Sequence, residues 1–362
     1  MTIHKQSVRA WLLLIAAVLL LAGSLPVHAQ GGDSLPASAR LNGIRHVYQT
    51  WNNCGGANLT MALSYFGWTA DQDVARAWLK PDEEDKNVSP SEMAAFVNTQ
   101  TNLDVRALWR YGGTLELVKG AIAKGFPIII EAGFDVDDLD WMGHYETVAA
   151  YDDASQTFWV YDSYLGLGED GTGETHSYAD LDYWWRHFNR AYVLLYPPDR
   201  EEEVRELLGD YVDPVYAADQ ALSTARLEAQ ANQTDGWAWF NAGMSSVKLS
   251  HYHDAAIYFD EAFRVGMPYR AMWYNFGPYE AYYRIGRYGD VLQLADNTDA
   301  TTTYVEETNY WRGLALAALG RFDEAIVELD KAITFNPNFA AAQDAKASIQ
   351  AGTYVAPAAP ES

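Results

Sequence analysis

The chain has 362 residues and carries 25 Lys and Arg against 49 Asp and Glu, a formal net charge of −24. That length implies two domains at roughly 100–200 residues each, and 49% hydrophobic with 14% aromatic residues supports a packed core, which excludes disorder as the main state. The acidic balance excludes nucleic acid as an expected partner, since phosphate backbones are repelled, and one cysteine excludes an internal disulfide or a cysteine-built zinc site.

In chain order, Lys5 and Arg9 give a basic opening, Trp11 to Ala22 is apolar, and the breakers Gly23 and Pro26 precede Val27-His28-Ala29. A charged start, a short apolar core and a small-x-small exit form a secretory signal, here residues 1–29. The apolar run falls short of the roughly 20 residues needed to span a membrane. Cleavage leaves 23 cations against 49 acids, a net charge of −26, so the mature protein is expected to be exported, secreted or at the cell surface, without a stable membrane span.

Residues 35–197 mix helix and strand signals. Leu59, Ala62, Leu63 and Phe66 are spaced as one face of an amphipathic helix that begins near Asn52-Asn53 and stops at Gly67. Ser89-Pro90-Ser91-Glu92 is a capping box that starts a helix towards Asn98, and Thr114 caps another that Gly125 ends. Segments 127–132, 145–151, 157–161 and 191–196 are rich in β-branched and aromatic residues and are bounded by Gly, Asp or Pro, which marks strands. Helices followed by a cluster of strands give an α+β domain. Tyr196-Pro197-Pro198-Asp199 closes it, residues 198–213 form a linker containing a charged helix from Arg200 to Leu208, and Asp213-Pro214 is a second break.

Beyond that break, residues 214–350 are all-helical and repetitive, followed by a flexible tail, 351–362. Ser250-His251-Tyr252, Gly286-Arg287-Tyr288 and Gly320-Arg321-Phe322 occupy equivalent turns, 36 and 34 residues apart. Gly243, Ala255, Phe259 and Ala262 in the first unit, and Gly313, Ala325, Leu329 and Ala332 in the last, place small and aromatic residues at matching offsets. This resembles the tetratricopeptide pattern of stacked helix pairs. The middle unit departs from it, with Tyr279 and Val291 where Gly and Ala belong. It is also dense in aromatics, including Trp273, Tyr274, Phe276, Tyr282 and Tyr283. Such stripes normally pack between helices; the functional alternative is a groove for peptide or glycan.

Cys54 falls in the first turn of its helix, where free backbone N–H groups and the positive dipole end favour a thiolate. Gly55 and Gly56 leave room for a substrate backbone, and Gly143 is assigned with them to substrate binding. A thiolate needs an imidazole, and the imidazole needs an orienting group. His144 enters the strand that turns at Asp152-Asp153-Ala154 and returns through Asp162. A turn centred on Asp153 sets His144 directly opposite Asp162, and one centred on Ala154 makes them diagonal neighbours; both put them on one face. A half-step register separates them. Asp152 and Asp153 read as turn formers, and Asp140 as part of an acidic loop. His251 and His253 lie in a repeat turn, and no metal or other cofactor is expected.

Gln49, Cys54-Gly55, Gly143-His144-Tyr145 and Tyr161-Asp162, in that order, resemble the bacteriocin-processing cysteine peptidases, papain-like enzymes also called double-glycine leader peptidases, in a stand-alone secreted form. The resemblance covers roughly residues 40–197. It implies a papain-like fold in which Cys54 is the nucleophile, His144 the general base and acid, Asp162 the orienting group and Gln49 an oxyanion donor. Gly56 stands where the family often has Pro, and Ser163 follows Asp162 where Pro is common. The expected function is hydrolysis of a peptide or protein substrate, with a possible protein partner on the repeats. The alternatives are a peptide-binding module that does not cut and a thiol acyltransferase or amidase.

Overall fold

The computed structural model describes residues 35–135 and 140–357. The expected export signal, most of the acidic loop and the last five residues lie outside them.

The α+β part is built on one antiparallel seven-stranded sheet. Its strands are β1 (Ser38–Arg40), β2 (Arg106–Arg110), β3 (Ile128–Phe134), β4 (Met142–Asp152), β5 (Thr157–Asp162), β6 (Glu174–Ser177) and β7 (Tyr192–Tyr196), in the order β2-β7-β3-β4-β5-β6, with β1 also pairing β4. The four expected strands are the centre of this sheet; the three missed ones are short or lie at its margins. Every residue of β3 is buried because helices cover both faces. Ile128, Ile130, Val148 and Leu194 join one core, and Ile129, Tyr145, Val193 and Leu195 the other. This is the period-two alternation of a strand buried on both sides.

α1 (Cys54–Ser64), α2 (Gln72–Leu79) and α3 (Pro90–Gln100) contribute to the second core, and α4 (Leu115–Ala123) to the first. The capping box is present in both directions at Ser89 and Glu92, and Thr114 caps α4. Two expectations need correction. α1 is buried from Gly55 to Leu63, so it is a central helix with no wet face. The charged helix, α6 (Glu201–Leu208, after α5, Tyr178–Trp185), is no free linker: Val204 and Leu208 are part of the first core.

The β4–β5 hairpin sets the site. Next to its turn the pairs are Asp152↔Thr157, Tyr151↔Phe158 and Ala150↔Trp159, the half-step register that would put His144 and Asp162 on opposite faces. Between Ala150 and Val148 the ladder shifts, leaving Ala149 bulged, and continues as Val148↔Val160, Thr147↔Tyr161 and Glu146↔Asp162. A bulge adds one residue to one strand and so reverses the facing of all that follows. Ala149 is therefore what brings His144 and Asp162 to one face as diagonal neighbours.

The helical part begins with α7 (Pro214–Ala231), capped by Asp213, and continues as the pairs α8 (Gly236–Lys248) and α9 (Tyr252–Val265), α10 (Gly277–Arg284) and α11 (Tyr288–Asp299), α12 (Glu306–Ala318) and α13 (Phe322–Phe335), closed by α14 (Ala340–Gln350). The turn within each pair contains one left-handed residue, Ser250, Gly286 or Gly320. In the outer units a missing Cβ lets the helices approach: one at Gly243 would lie 2.5 Å from the Phe259 ring, and one at Gly313 2.9 Å from Leu329. In the middle unit Tyr279 fills this place, fully buried and hydrogen-bonded to Thr298 at 2.8 Å. As far as it is described, the tail packs on the repeats: the Tyr354 hydroxyl meets that of Tyr283 at 2.5 Å and donates to the Leu314 carbonyl.

From Pro36 onward the α+β and helical parts form one compact unit. Polar contacts join them: Arg186 to Asp235 at 2.7 Å, Asn189 to Ser245 at 2.7 Å, and Asn87 to Glu307 at 3.0 Å. Trp237 of α8 stacks on His187 and packs against Trp141, both with ring centroids 4.7 Å apart. Among the described residues no helix is long and apolar enough to cross a membrane.

Gly243→Ala should cost about 1–3 kcal/mol in chemical denaturation, because the methyl overpacks the Phe259 contact. Gly289→Ala, with nothing within 4 Å, should be neutral or stabilising by up to about 1 kcal/mol.

Candidate active site

Cys54 is the first residue of α1. Asn53 is the N-cap, but its side chain does not cap; it donates to Gln72 Oε1 at 2.7 Å and Thr50 Oγ1 at 3.3 Å. The positive end of the helix is left without a side-chain cap, which favours negative charge at the first residue. The preceding loop is fixed by Lys80, 1% exposed, whose ammonium donates to the carbonyls of Asn52, Glu83 and Asp85.

His144 and Asp162 are both buried, and Nε2 meets Asp162 Oδ1 at 3.1 Å. The same oxygen accepts the backbone N–H groups of Tyr164 and Leu165, at 2.5 and 2.8 Å. Phe134 packs on the imidazole with centroids 4.6 Å apart. The other carboxylates weighed for this role are engaged elsewhere. Asp152 accepts from the Ala154 N–H in the turn, Asp153 pairs with Lys119, and Asp140 accepts from Tyr269 of the helical part.

The charges reinforce one another. Burial raises the Cys54 pKa, but His144, the Tyr145 backbone N–H and Lys80 together bring it below the usual thiol value. Burial opposes protonation of His144, and Asp162 and Cys54 overcome this, raising its pKa well above the imidazole range. Burial likewise raises the Asp162 pKa, while His144 and the two N–H groups bring it below the usual carboxylate value. The shifts run in the directions of an ion pair, a more acidic thiol and a more basic imidazole, with a carboxylate behind the imidazole.

Two residues that sequence reasoning missed tie these parts together. Asn58, buried on α1, donates to the Cys54 carbonyl (3.0 Å), the Tyr145 carbonyl (2.7 Å) and Ser163 Oγ (3.2 Å), and accepts from Thr147 Oγ1 (2.8 Å). It locks the nucleophile's helix to the histidine's strand. A polar residue one turn after Cys54, within an otherwise apolar run, was its signal. Ser163 passes the network on, donating to Gln49 Oε1 at 2.8 Å. This bond engages the Gln49 carbonyl and holds its side chain in place. The Ser at this position thus supports Gln49, a task the Pro common in the family cannot perform.

A cleft of about 660 Å³ runs over the site. Gln49, Trp51, Cys54 and His144 line it from the α+β part, and Arg270, Trp273 and Tyr274 from the helical part. Arg270 is held by the Asp140 carbonyl at 2.9 Å. Two aromatics of the middle repeat unit therefore form a wall facing the thiol, whereas Tyr279, Tyr282 and Tyr283 are helix-packing residues.

Of the glycines assigned to substrate binding, Gly143 lines the cleft, Gly55 a small void beside Cys54, and Gly56 neither. A Cβ on Gly56 would lie 2.4 Å from Asn53 Oδ1, so this buried residue makes room for the Asn53 side chain. Gly55 lines a small void beside Cys54, but its Cβ side is closed by Val88 at 3.2 Å. Gly143 does line the cleft, yet the space it leaves is filled by Phe188 and Tyr274, at 2.7 and 3.1 Å from an added Cβ. His251 and His253 lie at the start of α9, in the turn region of a repeat.

The antiparallel sheet, the helix opening on Cys54 and the stacked helix pairs define a papain-like peptidase-type domain followed by a repeat array. Residues 41–193 match the Peptidase_C39 like family, and residues 306–339 the tetratricopeptide repeat. The chain thus carries a C39-like peptidase domain and, behind it, tetratricopeptide repeats. No curated protein matches it. Solved structures similar to it include a double glycine motif protease from an AMS/PCAT transporter in complex with the leader peptide, 17% identical, with a TM-score of 0.28 over 43% of this chain and 91% of that one. Others are YrrB, described as a TPR protein with an unusual peptide-binding site (20% identity, TM-score 0.33, 41% and 73%), and the MamA RS-1 ArsTM double mutant (17%, 0.34, 38% and 75%).

Alkylation of Cys54 by iodoacetamide should stay fast as pH falls from 8 towards 6, where an ordinary thiol slows roughly tenfold per unit. In His144→Ala the profile should move up to that of a free thiol. Mass spectrometry of the labelled peptide over a pH series checks this.

Proposed function

We propose that the protein is an exported cysteine peptidase that hydrolyses peptide bonds through Cys54, His144 and Asp162. The observation that carries this reading is the thiol and imidazole lining one cleft with the buried Asp162 carboxylate bonded to the imidazole, the Cys54 pKa lowered and that of His144 raised. The Cys54 thiolate attacks the substrate carbonyl carbon and forms the C–S bond. Gln49 and the Cys54 backbone N–H donate to the oxyanion. The His144 imidazolium gives its proton to the leaving amine as the C–N bond breaks, leaving a thioester. Water then attacks the thioester, His144 takes its proton, and the acid departs as the thiol is restored. Trp273 and Tyr274 position the peptide from the array side, so binding away from the scissile bond contributes to rate.

The test is hydrolysis of a peptide library by the full chain and its variants. Cys54→Ala should abolish cleavage, Asp162→Asn should lower kcat by up to about 10⁴-fold, and Gln49→Ala by about 10²–10³-fold. Hydrolysis that survives Cys54→Ala overturns the reading. Formation of amide product when an amine is added would identify an acyltransferase instead. The basic, apolar and small-residue order of residues 1–29 supports export, and the secreted chain should begin at Gln30 when its N-terminus is read by mass spectrometry.

A further inference from the structure

Behind the Cys54 cleft lies a second chamber, about 430 Å³, between the α+β part and the repeats. This is the size of a small-molecule site and many times the share of one water. Glu131 and Tyr274 line both this chamber and the small void beside Cys54, so the two spaces share a wall.

The chamber's chemistry is one-sided. Five carboxylates line it, Glu92 and Glu131 from the α+β part and Glu280, Glu306 and Glu307 from the repeats. Glu280 is paired with Arg284 at 3.4 Å. The wall contributes a single cation, Lys248, which lies over the rings of Trp109 and Tyr111, 4.6 and 5.9 Å from their centroids. The buried polar atoms left without partners are acceptors: Asn241 Oδ1, on a side chain 1% exposed whose amide N–H is spent on the Arg186 carbonyl, and the Oε2 atoms of Glu306 and Glu307. Burial raises the Glu131 and Glu307 pKa values well above the usual carboxylate range and that of Glu92 to about 7, the expected behaviour of carboxylates without a countercharge. Among the described residues no group of His, Cys, Asp and Glu is disposed to hold a metal ion. The remaining walls are largely aromatic, including Phe276, Tyr310 and Trp311, which suits an alkyl stem ending in a cation.

We propose that this chamber receives the side chain of a lysine or arginine in the peptide that occupies the Cys54 cleft. The proposal rests on the peptidase-like reading of the cleft and adds the substrate class: peptides with a basic residue close to the bond at Cys54. The carboxylates and Asn241 accept from the ammonium or guanidinium, and the aromatic walls hold the stem.

The experiment uses the full chain carrying Cys54→Ala, so that binding is read without turnover. Two blocked tripeptides are titrated by calorimetry, acetyl-Gly-Lys-Gly-amide and the same peptide with norleucine, which keeps the stem and lacks the ammonium. The lysine peptide should bind at least tenfold more tightly. Adding Glu131→Gln and Glu307→Gln, which preserve shape, should erase that preference while leaving the norleucine peptide unchanged, which separates the chamber from the general acidity of the protein. Equal affinities, binding of neither peptide, or a preference that survives the double substitution would overturn the proposal. Cleavage assays on the unmutated chain keep the two readings apart. Cys54-dependent hydrolysis with no preference for basic residues sinks the chamber alone, and a lysine preference in binding with no hydrolysis sinks the peptidase alone.

Discussion

The site depends on a carboxylate held behind an imidazole where water does not reach. Asp162 is fully buried and His144 nearly so, and in such surroundings each charge is costly unless another answers it. Two unit charges about 4 Å apart attract by about 4 kcal/mol at an effective dielectric of 20, several times their attraction in water. Asp162 is stabilised from behind by two backbone N–H groups, His144 by Asp162, and the ionised form of Cys54 by His144, the Tyr145 backbone N–H and Lys80. No member has an ordinary pKa by itself. The rest of the local structure keeps the members in line: the bulge at Ala149 sets the facing of the strand, Asn58 sets its distance from α1, and Ser163 extends the same network to Gln49.

The repeats take part in this arrangement. Their short aromatic stretch before α10 supplies Trp273 and Tyr274 to the cleft, and the N-terminal turn of α12 supplies Glu306 and Glu307 to the chamber behind it. The departure of the middle unit from the tetratricopeptide pattern thus has a physical cause. Tyr279 takes the place of a small residue within the helix pair, and the residues before it serve the α+β part as well as their own unit.

Much of this was legible in the sequence because the signals are local. The capping box at Ser89, the Thr114 cap, the Asp213-Pro214 start of α7 and the left-handed repeat turns depend on neighbours within a few residues. So does the placement of Cys54 at a helix start. The pairing of His144 with Asp162 was legible only as a choice of registers. The turn itself adopts the unfavourable one, and a bulge corrects it; an alanine between other small and apolar residues gives no sign of that. Gly56, the buried far side of α1 and the docking of α6 were misread because tertiary neighbours decided them. Asn53 resembles a capping residue by type, but Gln72 and Thr50 engage its amide. The aromatics around Trp273 could not be sorted into packing and wall residues without knowing which of them the α+β part would meet.

The surface that confronts the Cys54 sulfur is encoded far downstream of it, in the repeat segment. Substitutions there can reshape what the peptidase-like domain meets without touching the strand and helix that carry His144 and Cys54. Conversely, the domain severed from its array would expose an apolar flank and lose one wall of its groove. The two segments are one inheritable instrument and should be cloned, compared and engineered together.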